Sequence, residues 1–193
     1  SAAYHPLLSK LPKKLIEQQI ILNEFGVGYY LGEHQNLEGD SAIMLKDVTG
    51  FFPPELAVNE KVLSVLDSLG YKWMLVDETA IPFDNLYKQK NSGVYRFKDY
   101  STRIVVRNRK LSNLLSFKRS TDISDLEICM DDFVSKKSSF IFALDGEFFG
   151  HHYKQGFILL DMLVNYASAH DLGFSTVSTF VESNEAVSLP SLR

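Results

Sequence analysis

Three acidic residues each follow an apolar run that is typical of a buried β-strand. Glu55 follows "VTGFFPP", Asp77 follows "YKWMLV" and Asp145 follows "SFIFAL". In parallel sheets and barrels the carboxyl ends of the strands form the active-site rim, so side chains in this position converge from distant parts of a sequence. A carboxyl group there is partly desolvated and close to other acids, which adjusts its pKa for acid-base catalysis. The competing interpretation is that each acid caps a helix or faces water.

The stretch "FALDGEFFGHH" concentrates two acids, Asp145 and Glu147, and two histidines, His151 and His152, behind one of these runs. Carboxylates and imidazoles both ligate metal ions, so Asp145, Glu147 and one histidine form a candidate metal site. Adjacent histidines, however, rarely face the same way on a helix or a strand, and the sequence contains no H-x-x-x-H pair. We therefore expect a strand that ends at Asp145, no metal site, and histidines in rim or structural roles, while the pattern by itself leaves the role of Asp145 open.

Helical and strand-like patterns alternate along the chain. Helical periodicity occurs in "LPKKLIEQQIILNEFG" and "LAVNEKVLSVLDSLG", with Gly26 and Gly70 as stop signals, in "SDLEICMDDFVSKK", with Ser124 and Glu127 at capping-box spacing, and in "QGFILLDMLVNYASAHDLG". The strand candidates are "YKWMLVD", "VYRF", "TRIVVR", "SFIFALD" and "FSTVSTFV", and the polar segment 84–92 is expected to be a loop. This alternation predicts an α/β protein with parallel strands and crossover helices.

Composition excludes several classes of protein. The chain of 193 residues is 45% hydrophobic and 23% charged, with a formal net charge of −4, which fits one ordinary globular domain. It has no basic stripe and no apolar run of the ~20 residues that a membrane span needs, so we expect neither nucleic acid nor membrane as a partner. The single cysteine, Cys129, is expected to be a buried hydrophobe. No signal peptide is visible, which predicts a cytoplasmic protein, and the start "SAAYHP" without Met indicates a fragment.

Four segments, spread over most of the chain, resemble sequence regions of one known family. In order they are "YHPLL" (4–8), "GFFPPE" (50–55) with "LGYKWMLVDE" (69–78), "RIVVRNRKLSNLLSF" (103–117) and "ALDGE" (143–147). These segments resemble, in family order, sequence regions of glycoside hydrolase family 57, which contains amylases, amylopullulanases, branching enzymes and glucanotransferases that act on α-glucans. The resemblance covers about residues 4–183.

The resemblance implies a partial or distorted (β/α)7 barrel of the glycoside hydrolase and deacetylase type, with mainly parallel strands. We expect one domain over residues 1–183 and a C-terminal tail at 184–193. It also implies a retaining mechanism on an α-glucan or oligosaccharide, with Glu55 as the nucleophile and Asp145 as the general acid/base. Retention requires two carboxyl groups about 5–5.5 Å apart, one ionised to attack the anomeric carbon and one protonated for the leaving oxygen. Such a mechanism needs no cofactor and no metal.

Six further residues are candidate substrate contacts: His5, Phe52, Trp73, Asp77, Arg107 and Glu147. His5 offers a hydrogen bond to a sugar hydroxyl, Arg107 a contact to sugar or to a carboxylate, and the two aromatic rings offer stacking faces. Glu147 would raise the pKa of Asp145 if both acids shared a strand face. Structural roles are the alternative, because aromatic residues in apolar runs are mostly core residues and Glu147 fits the first turn of a helix.

Several positions depart from the family pattern and keep other functions open. Phe51 and Phe52 stand where the family usually has Trp, Asn108 stands where it has Asp, and "EHQN" (33–36) lacks the Pro of its first region. One alternative is a noncatalytic relative that binds carbohydrate or another protein. The other is an enzyme resembling metal-dependent polysaccharide deacetylases. The sequence predicts no particular oligomeric state.

Overall fold

A five-stranded sheet lies at the centre of the computed structural model, which describes residues 1–31, 48–82, 93–118, 121–136 and 138–192. The strands are β1 (Gly50–Phe51), β2 (Trp73–Val76), β3 (Val94–Phe97), β4 (Arg103–Val106) and β5 (Val187–Leu189), in the spatial order β1-β2-β4-β3-β5. Three neighbouring pairs are parallel, and only β3 and β4 are antiparallel among the described strands. The prediction of a mainly parallel α/β fold is confirmed, and the sheet fits part of a (β/α)7 barrel.

Six α-helices accompany the sheet in the described part of the chain. They are α1 (Lys13–Leu31), α2 (Glu60–Ser68), α3 (Arg109–Ser116), α4 (Ser124–Ser135), α5 (Gly156–Ala169) and α6 (Val177–Ser183). Helix α2 lies within the predicted segment 56–70, and Gly70 follows its end, as predicted, with a φ of +85°. The helix begins only at Glu60, because Asn59, which the sequence pattern does not single out, caps it by accepting a hydrogen bond from the Val62 N–H at 3.1 Å. None of the described helices is both long enough and apolar enough to cross a bilayer.

The helices pack into two apolar clusters. The first, called the sheet core, joins α1 and α2 to the strands and includes Ile16, Ile20, Phe51, Leu63, Leu66, Met74 and Ile104. The second, called the helical core, joins α3, α4 and α5 and includes Leu111, Leu115, Leu126, Cys129, Phe148, Leu159 and Leu163. Cys129 is buried there with 7% exposure, so its predicted role as a buried hydrophobe is confirmed.

Two strand predictions are wrong. The run "FSTVSTFV" forms helix α6 because Thr176 caps it: its Oγ1 accepts a hydrogen bond from the Thr179 N–H at 3.2 Å. The run "SFIFALD" is not part of the sheet, because its backbone bonds to helix α3 instead of to a neighbouring strand. The Ile141 carbonyl accepts from the Asn108 N–H at the start of α3, and the Ala143 N–H donates to Ser112 Oγ at 3.1 Å.

Two helix-end predictions are also wrong. Helix α1 continues through Gly26 to Leu31, since one internal glycine costs only about 1 kcal/mol relative to alanine. Ser124 does not cap α4, because it already lies inside the helix; its N–H donates to Asp122 Oδ1 at 2.9 Å.

The segment "EHQN" and the expected loop 84–92 lie outside the described residues. The expected C-terminal tail, 184–193, contains the strand β5.

Candidate active site

The carboxyl ends of three adjacent parallel strands carry four of the eight candidate residues. β1, β2 and β4 are neighbours with the same direction. Phe52 and Glu55 follow β1, Asp77 follows β2, and Arg107 follows β4. The topology therefore brings these four side chains to one edge of the sheet, where clefts form in parallel α/β folds.

Asp77 and Arg107 form an ion pair at this edge. Arg107 Nε lies 2.9 Å and Nη2 lies 2.8 Å from Asp77 Oδ2. The side chain of Arg107 is only 17% exposed and that of Asp77 only 12%. The other oxygen, Oδ1, accepts from the Thr79 N–H and hydroxyl at 3.1 and 3.0 Å. Burial by itself disfavours the charged carboxylate, but the hydrogen bonds from Thr79 and Arg107 outweigh it and lower the pKa of Asp77. Asp77 is therefore a fixed anion.

Arg107 also contacts the segment that carries Asp145. Its side-chain Nη1 donates to the Ala143 carbonyl at 3.3 Å, and its backbone N–H donates to the Val76 carbonyl at 3.0 Å. Asp145 follows Ala143 by two positions and precedes a 3-10 turn at Gly146–Phe148, where its carbonyl accepts from the Phe148 N–H at 3.0 Å. The Asp145 side chain is exposed and caps no backbone N–H of that turn. Its carboxyl group is therefore available to solvent or ligand.

Glu55 and His5 meet in a locally strained part of the backbone. His5 Nε2 lies 3.0 Å from Glu55 Oε1, although the residues are 50 positions apart. Both have left-handed backbone conformations, with φ of 54° for Glu55 and 50° for His5, as do their neighbours Leu56 and Tyr4. Non-glycine residues adopt this conformation at a cost of about 1–3 kcal/mol, and such residues cluster at functional sites. Both side chains are exposed, at 64% for His5 and 68% for Glu55.

The two aromatic candidates lie at different ends of the sheet. Phe52 precedes the Pro53-Pro54 pair beside Glu55 and is 40% exposed. Trp73 begins β2 and is therefore at the amino end, opposite to Asp77. Its Nε1–H donates to Ser178 Oγ at 3.0 Å, and its ring covers Gly50 so closely that an added Cβ would lie 1.9 Å from Cζ2. The structure does not bring Trp73 together with the acids.

Glu147 contacts the histidines that follow it. Glu147 Oε2 lies 3.3 Å from His152 Nε2, and the rings of His151 and His152 have centroids 5.1 Å apart. The expectation that the adjacent histidines point apart is wrong. They lie in a turn, and the side-chain periodicity of helices and strands does not apply to a turn. One potential metal-ligand atom from each of the three side chains fits within 4.8 Å of the others.

Some contacts at the site involve residues that the sequence patterns do not single out. Thr79 and Ser112 are the clearest examples, since one fixes the Asp77 carboxylate and the other holds the Ala143 N–H. The only local sign for Thr79 is the D-x-T spacing, which permits a turn in which the acid caps the next residues. Asn108 caps α3 by accepting from the Leu111 N–H at 2.7 Å, so the amide that replaces the family's acid has a structural use.

Comparison with known proteins agrees with this architecture. The sequence model described as Glycosyl hydrolase family 57 matches residues 1–193. No curated protein matches the chain. Among solved structures, the chain is similar to a 4-α-glucanotransferase from Thermococcus litoralis, with a TM-score of 0.67 and 17% identity over 100% of this chain and 27% of that one.

Two more solved structures share the fold. A family 57 branching enzyme from Thermococcus kodakaraensis, in complex with glucose, gives a TM-score of 0.63 with 15% identity over 98% of this chain and 48% of that one. An α-amylase from Thermotoga maritima gives 0.61 with 18% identity over 98% and 48%. The chain thus spans less than half the length of these proteins.

Proposed function

The chain belongs to glycosyl hydrolase family 57, and we propose that the complete protein cleaves or transfers α-glucan chains by a retaining mechanism. Glu55 is the nucleophile and Asp145 the general acid/base in this proposal. The similar structures support the substrate class, because they are a 4-α-glucanotransferase, a branching enzyme and an α-amylase. The observation that carries the assignment of Glu55 is its strained, exposed position after β1, in hydrogen-bond contact with His5.

The environment of Glu55 suits a nucleophile. An ionised carboxylate only accepts hydrogen bonds, so His5 Nε2 is the donor to Oε1 at 3.0 Å when Glu55 is charged. That bond orients the carboxylate and leaves Oε2 to attack the anomeric carbon. The left-handed backbone at Glu55 and Leu56 is a conformation that persists only where the surrounding structure holds it. A residue held in this way is preorganised for reaction and loses little orientational freedom when substrate binds.

The environment of Asp145 suits an acid/base that changes its protonation state twice. Its carboxyl group is exposed and makes no cap hydrogen bond to the turn that follows it, so it can reach a bound substrate. Arg107 and Ser112 hold the backbone just before it, through the Ala143 carbonyl and N–H. The side chain can therefore donate a proton to the leaving oxygen and later accept one from water, while its backbone stays in place.

Phe52 and Asp77 have supporting roles in this proposal. Phe52, 40% exposed beside Glu55, offers an aromatic face to a sugar ring. Asp77 is bonded to Arg107 and Thr79 through both oxygens, so it keeps Arg107 in position and does not move a proton. Trp73 has no part in the proposed site, because it lies at the amino end of β2.

Two isosteric substitutions in the full-length protein test the assignment. Glu55→Gln should lower turnover of α-glucan by on the order of 10³-fold or more, because an amide cannot form the covalent intermediate. Asp145→Asn should be slow on α-glucan but should still form the intermediate from a substrate with a good leaving group, which needs no protonation. Added azide should then restore turnover in Asp145→Asn and have no effect in Glu55→Gln.

A matched control and two contrary outcomes complete the experiment. Glu17→Gln, on the exposed face of α1, makes the same chemical change away from the site and should leave turnover unchanged. Near-normal turnover in Glu55→Gln would show that the nucleophile is another residue. A wild-type protein that binds α-glucan in a pull-down or titration but never cleaves it would be the noncatalytic relative instead.

A further inference from the structure

We propose that Glu147, His151 and His152 bind a divalent transition-metal ion of the zinc class, with one carboxylate and two imidazole ligands. These three side chains, called the Glu-His-His cluster, place one potential ligand atom each within 4.8 Å of the others. The proposal does not depend on the retaining mechanism, because no step of that mechanism uses these residues. It concerns binding, and it can be tested on a chain without any enzymatic activity.

The distances in the cluster are close to those that a metal requires. Two ligand atoms bound about 2.0–2.2 Å from a tetrahedral Zn²⁺ are roughly 3.3–3.5 Å apart. Glu147 Oε2 and His152 Nε2 are already 3.3 Å apart. The remaining pairs lie within 4.8 Å, and small rotations of an exposed imidazole ring bring its nitrogen to the same ion.

The backbone holds the three ligands together before any ion arrives. The N–H groups of His151 and His152 both donate to the Glu147 carbonyl, at 3.1 and 2.9 Å, so the peptide closes into a tight turn. The turn also contains Gly150, whose φ of +102° favours glycine. A further bond, from the Gly150 N–H to the Tyr153 carbonyl at 3.1 Å, closes its other side. The cluster thus lies on an ordered loop.

The loop is also anchored to the protein interior. Phe148, between the ligands in sequence, is 2% exposed and belongs to the helical core. An added Cβ on Gly156 would lie 2.9 Å from both the Phe148 carbonyl oxygen and the Phe149 Cα, so the start of α5 packs directly on the loop. Because the backbone is fixed on both sides, binding an ion costs mainly the rotamer freedom of three side chains.

The donor set defines the class of metal. Two imidazoles and one carboxylate are the ligands of zinc sites that keep a fourth position for water or substrate. Hard cations such as Mg²⁺ and Ca²⁺ prefer oxygen ligands and are poorly served by two nitrogens. One carboxylate and two neutral imidazoles leave a bound divalent ion with a net charge of +1, and all three side chains are solvent-exposed, so an ion can enter.

Direct titration of the untagged, metal-free chain with Zn²⁺ tests the site. Isothermal titration calorimetry should give one ion per chain. His151→Ala and His152→Ala should each weaken binding at least tenfold, and Glu147→Gln should weaken it because an amide oxygen is a poorer ligand. His170→Ala removes an exposed histidine that stacks on Tyr166 instead, so it is the matched control and should bind as the wild type does. A wild type that binds no Zn²⁺, or a double His151→Ala/His152→Ala variant that binds it normally, would overturn the proposal.

Two further measurements protect the test against misfolded variants. Zn²⁺ should raise the melting temperature of the wild-type chain and not that of the double variant, since an ion that binds only the folded state stabilises it. Co²⁺ added to the wild type should give the intense visible bands of four-coordinate cobalt, which the double variant should lack. The weak spectrum of six-coordinate Co²⁺ in the wild type would contradict the three-ligand tetrahedral site.

Discussion

Arg107 connects three parts of the candidate site through one residue. It bonds to Asp77 after β2, to the Ala143 carbonyl before Asp145, and through its N–H to Val76. Both members of the ion pair are mostly buried, at 17% exposure for Arg107 and 12% for Asp77. Removing one partner of such a pair leaves a charge without compensation, whereas removing both is far less costly.

We therefore expect Arg107→Met to lower the free energy of unfolding by about 3–5 kcal/mol. The double variant Arg107→Met/Asp77→Asn should recover part of that loss, because the unpaired carboxylate is gone. Urea unfolding of the wild type, both single variants and the double variant measures the coupling. A double variant as unstable as the sum of the single losses would mean that the two residues do not stabilise each other.

The lowered pKa of Asp77 predicts how the free energy of unfolding depends on pH. Its pKa is lowered in the folded chain from an ordinary value of 3.8, so the folded state binds protons less readily than the unfolded state. The stabilisation is then fully present above pH ~4 and is lost as the pH falls through the lower, folded pKa. The difference in unfolding free energy between wild type and Asp77→Asn should be constant from pH 7 to 5 and shrink below pH ~4. A difference that grows on acidification would have the wrong sign.

The contact between His5 and Glu55 marks the limit of prediction at this scale. Each residue is a sequence-based candidate, but nothing in either segment indicates that they touch, because they are 50 positions apart and the contact follows from the fold. Their left-handed conformations are equally invisible, since neither residue is a glycine. The sequence shows that Trp73 and Asp77 belong to the same strand-like run. It does not show that they lie at opposite ends of β2.

At the scale of elements, the local stop signal predicts the end of α2, whereas the equally local signals for the end of α1 and the start of α4 are wrong. Helix α2 has its cap at Asn59 and its stop at Gly70, and its four buried residues lie on one face. The prediction fails where the bonding partner is distant. The run 139–145 reads as a strand, but its backbone bonds to Asn108 and Ser112 of the α3 region. Periodicity contains no information about such a partner.

Helix α6 allows a direct test of an element that the residue pattern assigns wrongly. Thr176 Oγ1 accepts from the Thr179 N–H, so Thr176→Val should cost about 0.5–2 kcal/mol of unfolding free energy through loss of the cap. Valine favours strands, so a strand at 174–181 would tolerate this change. Thr176→Ser keeps the oxygen and is the matched control. Urea unfolding of the three proteins decides, and equal stability of Thr176→Val and wild type would argue against the helix.

At the scale of the whole molecule, the sequence predicts the class of fold but not the arrangement of the strands. Alternating patterns and the order of the motifs indicate a mainly parallel α/β protein, which the structure confirms. The order β1-β2-β4-β3-β5, with an antiparallel β3–β4 pair inside a parallel sheet, depends on long-range pairing. It places β5, from the expected C-terminal tail, beside β3.

The sheet core and the helical core raise the question of whether the chain unfolds as one unit. They are joined where β4 continues into α3, and there Arg107 bonds to both Asp77 and Ala143. Because β5 pairs with β3, we expect the predicted domain 1–183 and β5 to unfold together as one domain, with a single cooperative transition. The chain offers one natural probe for each core, because it contains one tryptophan and one cysteine.

Trp73 on β2 reports on the sheet core through its fluorescence, and Cys129 on α4 reports on the helical core through its reactivity with a thiol reagent. Burial raises the pKa of the Cys129 thiol, and a buried, protonated thiol is inert, so the reagent detects only molecules in which the helical core has opened.

In a urea titration of the 193-residue chain, the two probes should give the same midpoint and the same unfolding free energy. Cys129→Ser is the control for reagent specificity. If the thiol becomes reactive at a urea concentration where Trp73 still has its native emission, the helical core opens by itself, and the segment that carries Asp145 belongs to a separate folding unit from the one that carries Glu55.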